Sequence, residues 1–205
     1  MFTSATFTVF LFAVTLTRGQ IDEDPECRPS GPPGKEPECC TIPMKLFGDE
    51  VQEAVVKNCF DEAGMKKPSG PHGGGSPPTA EEMAAHISAH ECAEECVFKS
   101  GNFIKSDGGL DEDAIKAVIA KLFTGDWAPI ATAAVNKCLA SAKSGVSASA
   151  KCKSGAYQLS KCFQRELFLG CPASIWTEST DCSAIKARIT KCPNAKVPIG
   201  HHHKH

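Results

Sequence analysis

Five cysteines at nearly metrical intervals constrain this chain more than any other feature: Cys152-x9-Cys162-x8-Cys171-Pro172-x9-Cys182-x9-Cys192-Pro193. Zinc sites cluster their ligands in C-x2-4-C pairs, and these gaps are too long for that. They suit successive helices and turns, each pinned to another part of the chain. Twelve cysteines stand in the chain, at 27, 39, 40, 59, 92, 96, 138, 152, 162, 171, 182 and 192. An even count spread this widely reads as a disulfide framework of six bridges.

The N-terminus supports an oxidising destination. An apolar run from Phe7 to Leu16 ends in Thr17-Arg18-Gly19, the small-x-small triplet of a secretory signal peptide. Residues 1–19 are therefore expected to be removed, leaving residues 20–205 as a single secreted, extracellular domain. A membrane anchor needs about 18 apolar residues or more, so no membrane span is expected. Removal of Arg18 leaves 21 basic against 24 acidic residues, a formal charge of −3. That balance excludes a nucleic-acid binder, which would carry clustered Lys and Arg. A chain of this size does not need staples merely to fold. Six bridges, at about 2–4 kcal/mol each, point to a partly hollow core or a harsh medium.

Taken in order, residues 20–45 are rich in proline, glycine and acid and read as an extended arm held by Cys27, Cys39 and Cys40. A ring between the adjacent Cys39 and Cys40 would be strained, so each should reach elsewhere. Val51, Val55, Val56, Cys59 and Phe60 have helical spacing, and that helix ends near Gly64. Residues 66–78 form a Gly/Pro-rich connector. Thr79 with Glu82 makes a capping box for a helix through Met83, Ile87, Cys92, Cys96 and Phe98, stopping at Gly101. After a turn over 102–110, Asp111 caps an amphipathic helix whose apolar face is Ile115, Val118, Ile119, Leu122 and Phe123. Pro129 sits in the first turn of the next helix, which carries Ile130, Ala134, Val135, Cys138 and Leu139. A Gly/Ser-rich hinge precedes a helix through Leu159, Cys162, Phe163 and Leu167. A short helix follows at about 182–191. Alternating strand patterns are nearly absent, and the fold class is all-α.

The series Cys59-x32-Cys92-x3-Cys96-x41-Cys138, continued to Cys162-x8-Cys171, resembles the six-cysteine signature of insect odorant-binding proteins. Cys152 before the fifth cysteine, Pro172 after the sixth, and Cys182 and Cys192 downstream resemble that family's Plus-C branch. The resemblance implies a compact helical bundle with its six-cysteine core over 59–171 and a C-terminal extension over 172–205. It also implies the bridges Cys59–Cys96, Cys92–Cys162 and Cys138–Cys171. Cys27, Cys39, Cys40, Cys152, Cys182 and Cys192 would then form three more. Three of these lie at each end, so at least one bridge must tie the arm to the C-terminal half. Cys92 and Cys96 share one helix face at i and i+4, so one strip of that helix can be stapled to two neighbours.

Other readings of the same residues are weaker. His86-x3-His90-x-Cys92-x3-Cys96 mixes good metal ligands. At about 100° per residue, however, the histidines and the cysteines face different ways, so no metal site is expected. The two histidines read as a solvated face, or as reporters of pH. The terminal His201-His202-His203-Lys204-His205 reads as a tail. No G-x-S-x-G is present, and Cys39-Cys40 leads into Thr41-Ile42-Pro43 rather than the His-Asp of a secreted phospholipase A2. The Cys-x-Cys of plant lipid-transfer proteins is missing too. No enzyme activity and no cofactor are expected.

From spacing alone, Ile115, Val118, Ile119, Leu122, Phe123, Trp127, Phe163, Leu167, Phe168 and Trp176 read as ordinary core. The resemblance implies that they line an apolar ligand cavity. It thus implies a carrier of a small hydrophobic volatile ligand, with a chemosensory receptor or a second copy of the chain as macromolecular partner. The alternative is a disulfide-stabilised interaction module with a filled core.

Overall fold

A computed structural model describes residues 25–27, 36–43, 53–65 and 79–198. The expected signal peptide, the connector 66–78 and the histidine tail lie outside the described residues, as does Val51. Among the described residues six α-helices carry the fold: α1 Glu53–Glu62, α2 Ala80–Ser100, α3 Glu112–Leu122, α4 Trp127–Ala142, α5 Ala156–Leu169 and α6 Thr180–Lys191.

Their ends follow local chemistry. At the start of α2, Glu82 N donates to Thr79 Oγ1 and Thr79 N donates back to Glu82 Oε2, so two orphan donors are satisfied reciprocally. Asp111 caps α3 by accepting from Ala114 N, and Ser179 caps α6 by accepting from Cys182 N. Asn102, at φ 60°, turns the chain out of α2 into a small hairpin. That hairpin carries a single bridge between Ile104 and Leu110. Its base is closed by Phe103 N donating to Phe98 O and Asp111 N donating to Phe103 O. The segment expected as a plain turn is therefore an ordered loop with Phe103 buried beneath it.

Helices α4 and α5 pack closely, with α3 against α4, α2 across α5, and α1 on the outer side of α2. Gly155 makes the approach at the start of α5 possible. It sits at φ 85°, and a Cβ there would stand 3.2 Å from the carbonyl carbon and oxygen of Ala142. The core centres on Phe123, whose ring meets Phe163 edge-on at 5.6 Å and Trp127 at 6.3 Å. A second focus joins Phe168 to Trp176 at 5.6 Å. Lys186 covers the outer face of that tryptophan, 4.7 Å from the ring centroid.

All twelve cysteines are paired: Cys27–Cys192, Cys39–Cys182, Cys40–Cys171, Cys59–Cys96, Cys92–Cys152 and Cys138–Cys162. Two of the bridges implied by the resemblance are thereby corrected. Cys92 bonds Cys152 rather than Cys162, and Cys138 bonds Cys162 rather than Cys171. The reason is geometric, because a disulfide needs Cα atoms roughly 4.4–6.8 Å apart. Neighbouring helices α4 and α5 bring Cys138 and Cys162 to 5.6 Å, while Cys152, in the turn entering α5, stands 5.1 Å from Cys92. Cys171 is taken by the arm. The first-to-third, second-to-fifth and fourth-to-sixth order survives with the register moved up one cysteine, so the six-cysteine core closes at Cys162, not Cys171. The remaining six form three bridges, each joining the arm to the C-terminal half.

The arm itself lies against the C-terminal segment as extended chain. Thr177 N donates to Cys39 O at 2.9 Å, Cys40 forms a β-bridge with Trp176, and Arg188 donates to Glu36 at 2.7 Å.

Candidate functional site

Between α2, the hairpin, α3, α4 and α5 the packing leaves an apolar void, lined by Phe98, Phe103, Ile115, Val118, Ile119, Val135, Leu159, Ser160 and Phe163. Its free volume is about 20 Å³, room for about one water molecule. The helices supply their lining through helical periodicity, and the hairpin adds Phe103. Ile115, Val118 and Ile119 are the i, i+3, i+4 face of α3, and Leu159 and Phe163 are one turn apart on α5.

Of the ten residues singled out from the sequence, Ile115, Val118, Ile119 and Phe163 meet at this void. The other six do not. Phe123 and Trp127 stand behind Phe163, Leu167 and Phe168 fill the core toward Trp176, and Leu122 is only partly buried. Sequence reasoning missed Phe98, Phe103, Val135, Leu159 and Ser160 as lining. Phe98, Val135 and Leu159 carried the right periodicity but were read only as helix core. Phe103 lay in a stretch read as loop, and Ser160 gave no apolar signal at all.

A polar seam runs beside the void, where α2 crosses the start of α5. Glu95 accepts from Ser154 N at 3.0 Å, Gln158 Nε2 donates to Glu91 at 2.8 Å, and Ser160 Oγ donates to Glu94 Oε2 at 3.1 Å. Burial of its carboxyl pushes Glu94 up to about 7, despite the hydrogen bond from Ser160 that favours ionisation. Burial also raises Tyr157, with Glu91 and Glu94 adding to the effect.

His90 stacks on Tyr157 at 5.6 Å, and Phe60 meets it edge-on at 6.0 Å. Its pKa is lowered, chiefly by burial and then by the charges of His86 and Lys196. The two histidines are therefore not one solvated face: His86 is exposed, and His90 is half-buried against an aromatic ring. Among the described residues no group of three metal-binding side chains converges. No described helix is long and apolar enough to cross a membrane.

A helical shell closed by a Cys59–Cys96, Cys92–Cys152, Cys138–Cys162 set over an apolar centre defines a class, and comparison names it. Residues 50–166, more than half of the chain, match the PBP/GOBP family, and the chain belongs to that insect odorant-binding protein family. The matched span contains those six cysteines and stops short of Cys171. Among curated relatives, general odorant-binding protein 68 of Anopheles gambiae is 27% identical over 201 residues, covering 91% of this chain and 84% of the relative. Odorant-binding protein 47 of the same organism is 30% identical over 118 residues, 50% of this chain and 51% of the relative. General odorant-binding protein 67 is 24% identical over 162 residues, 75% of this chain and 72% of the relative. Members of this family are carriers of small hydrophobic ligands and catalyse no reaction. Family and disulfide count are both consistent with secretion.

Proposed function

We propose that the protein is a secreted carrier that takes up a small hydrophobic volatile molecule between α3, the 102–111 hairpin and α5, and moves it through aqueous fluid. The observation that carries this reading is the apolar void at the centre of the bundle, walled by three phenylalanines and four aliphatic side chains of α3 and α4 together with Leu159 and Ser160. Affinity would come from removing apolar surface from water, at about 25 cal/mol per Å². A ligand larger than one water requires the wall to yield. The chain offers a place for that, because no cysteine stands between Cys96 and Cys138. Phe103, Ile115, Val118 and Ile119 all belong to this unstapled stretch, whereas Cys162 holds α5.

We also place the chain with the cysteine-rich, Plus-C kind of odorant-binding protein, on six cysteines outside the core set. The moved register qualifies the resemblance: Cys152 is now the fifth core cysteine, and Pro172 follows Cys171, which lies outside the core. The downstream Cys182 and Cys192 still fit. A single domain over 20–205, released by cleavage after Gly19, completes the proposal.

The small size of the void favours a second reading, an interaction module with a filled core. One titration separates the two. Delipidated, oxidised protein is mixed with an environment-sensitive naphthylamine and competed with small volatiles. Saturable micromolar binding reversed by selected volatiles supports the carrier. No saturable signal from a protein folded by circular dichroism supports the filled core.

A further inference from the structure

His86 and His90 stand one turn apart on α2, with ring centroids 4.7 Å apart and planes crossed at 68°. Two imidazoles that bind one ion at about 2.0–2.1 Å from adjacent corners have centroids roughly 4.5–5.2 Å apart. The observed spacing is that of a chelating pair, and two histidines four apart on a helix face hold zinc in other proteins. His90 is held in place, because Tyr157 stacks on it at 5.6 Å and Phe60 meets it edge-on at 6.0 Å. His86 is exposed, so its ring can turn toward a shared ion. Burial and the charge of His86 both disfavour protonation of His90, which leaves the neutral ring that a metal requires. Cys92 and Cys96, the other soft ligands of this helix, are spent in disulfides.

A pair alone holds an ion weakly, and further imidazoles stand close by in the sequence. Lys196 lies near enough for its charge to act on His90, and the described chain ends two residues later, at Pro198. His201, His202, His203 and His205 follow. Three residues span up to about 10 Å and seven up to about 25 Å, which brings these side chains within reach of the pair. We propose that His86 and His90 form, with histidines of the 201–205 tail, a site for a divalent first-row transition-metal ion. Imidazole suits copper, nickel and zinc, with Cu²⁺ held more tightly than Zn²⁺, whereas Mg²⁺ and Ca²⁺ call for oxygen ligands. An ion bound there clasps the tail to the outer face of α2. Neither His86 nor His90 lines the void, so the site stands or falls independently of the carrier reading.

The test uses the oxidised mature chain, stripped with EDTA and exchanged into chelator-free buffer at pH 7.5, with Cu²⁺, Zn²⁺ and Mg²⁺ added in turn. Titration calorimetry should give one Cu²⁺ per chain at micromolar affinity or tighter, weaker binding of Zn²⁺ and none of Mg²⁺. Tyr157 is the only tyrosine in the chain, and sub-stoichiometric Cu²⁺ on the pair should broaden its ring proton signals. His86→Gln, an exposed change, and replacement of the four tail histidines by alanine should each weaken Cu²⁺ by about tenfold or more, since even an outer-shell partner is worth that much. The two changes together should cost less than the product of their separate effects, because each removes half of one site. Binding that survives His86→Gln within twofold, with the Tyr157 signals still sharp, assigns the ion to the tail alone and overturns the site. Binding that survives the tail replacement within twofold overturns the joint site as well. Absence of saturable Cu²⁺ binding by a protein folded by circular dichroism overturns the proposal outright.

Discussion

Cys92, in the middle of α2, is bonded to Cys152 in the turn that enters α5, with their Cα atoms 5.1 Å apart. That bond decides the cysteine register of the whole chain. Once Cys152 is fifth, Cys162 is free for Cys138 and Cys171 for the arm. Non-reducing peptide mapping by mass spectrometry should recover Cys92–Cys152, Cys138–Cys162 and Cys40–Cys171. Recovery of a Cys92–Cys162 or Cys138–Cys171 peptide would contradict the register.

Cys39 and Cys40 are adjacent, yet they reach Cys182 and Cys171. Across the chain alone, Cys40–Cys171 closes a separation of 131 residues, which loop-closure entropy would value at nearly 5 kcal/mol. With Cys39–Cys182 in place, the loop it adds runs only from 171 to 182 and back through one peptide bond. Replacing both Cys40 and Cys171 by serine should therefore cost about 3 kcal/mol, read from denaturant melts with the other bridges oxidised. A loss near 5 kcal/mol would mean that the two bridges act independently.

Glu94 and His90 give opposite pH signatures from one seam. Glu94 is raised from 4.5 to about 7 in the folded protein, so between those values the folded state holds more protons than the unfolded one. Stability contributed by this site therefore falls as pH rises through that window. His90 is lowered from 6.5, so the unfolded state takes the extra proton and stability falls as pH drops below that value. Subtracting the Glu94→Gln stability profile from the wild-type profile isolates the first term. The difference should decline from pH 4.5 to 7 by about 1–3 kcal/mol. A difference that is flat or rises would show that the Glu94 carboxyl is well solvated.

Gly155→Ala tests the close approach before α5. The backbone there is left-handed at φ 85°, and the new methyl would meet the Ala142 carbonyl at 3.2 Å. Left-handed backbone costs an ordinary residue about 1–2 kcal/mol, and the crowding adds to it. A drop of at least that size in thermal or denaturant stability is expected, against near-neutrality for an exposed glycine-to-alanine change elsewhere.

Helix positions, two of the three side-chain caps and the all-α class were legible because they rest on local chemistry: Thr79 with Glu82, Asp111 before α3, and the i, i+3, i+4 face of Ile115, Val118 and Ile119. The bridge register was not. Cys152-x9-Cys162 and Cys162-x8-Cys171 are nearly equal intervals, and only the packing of α4 on α5 tells them apart. The void lining was half legible for a similar reason. Periodicity marks Phe123, Leu167 and Phe168 as inward as clearly as it marks Phe163, but it does not say which inward residues interlock and which leave space. Phe103 enters through a hairpin turn at Asn102, which no periodic pattern announces. Ser160 is held there by a hydrogen bond to Glu94, 66 residues away in sequence.

The void also predicts how the core responds to filling. Val118 lines it from α3 and is 8% exposed. Val118→Ile adds one methylene, close in size to the free space of about 20 Å³. A buried methylene contributes about 0.8 kcal/mol when it enters existing space, whereas forcing one into a filled core costs about 1–3 kcal/mol. The expected outcome is therefore a neutral or slightly stabilised fold that binds the naphthylamine probe several-fold more weakly, because the space the ligand must occupy is already taken. Phe123→Ala gives the contrast. Phe123 packs behind Phe163 rather than on the void, so its loss should cost about 3–5 kcal/mol in stability with much less effect on probe affinity per unit of damage. If Val118→Ile instead destabilises the fold and leaves probe binding unchanged, the ligand does not enter between α3 and α5.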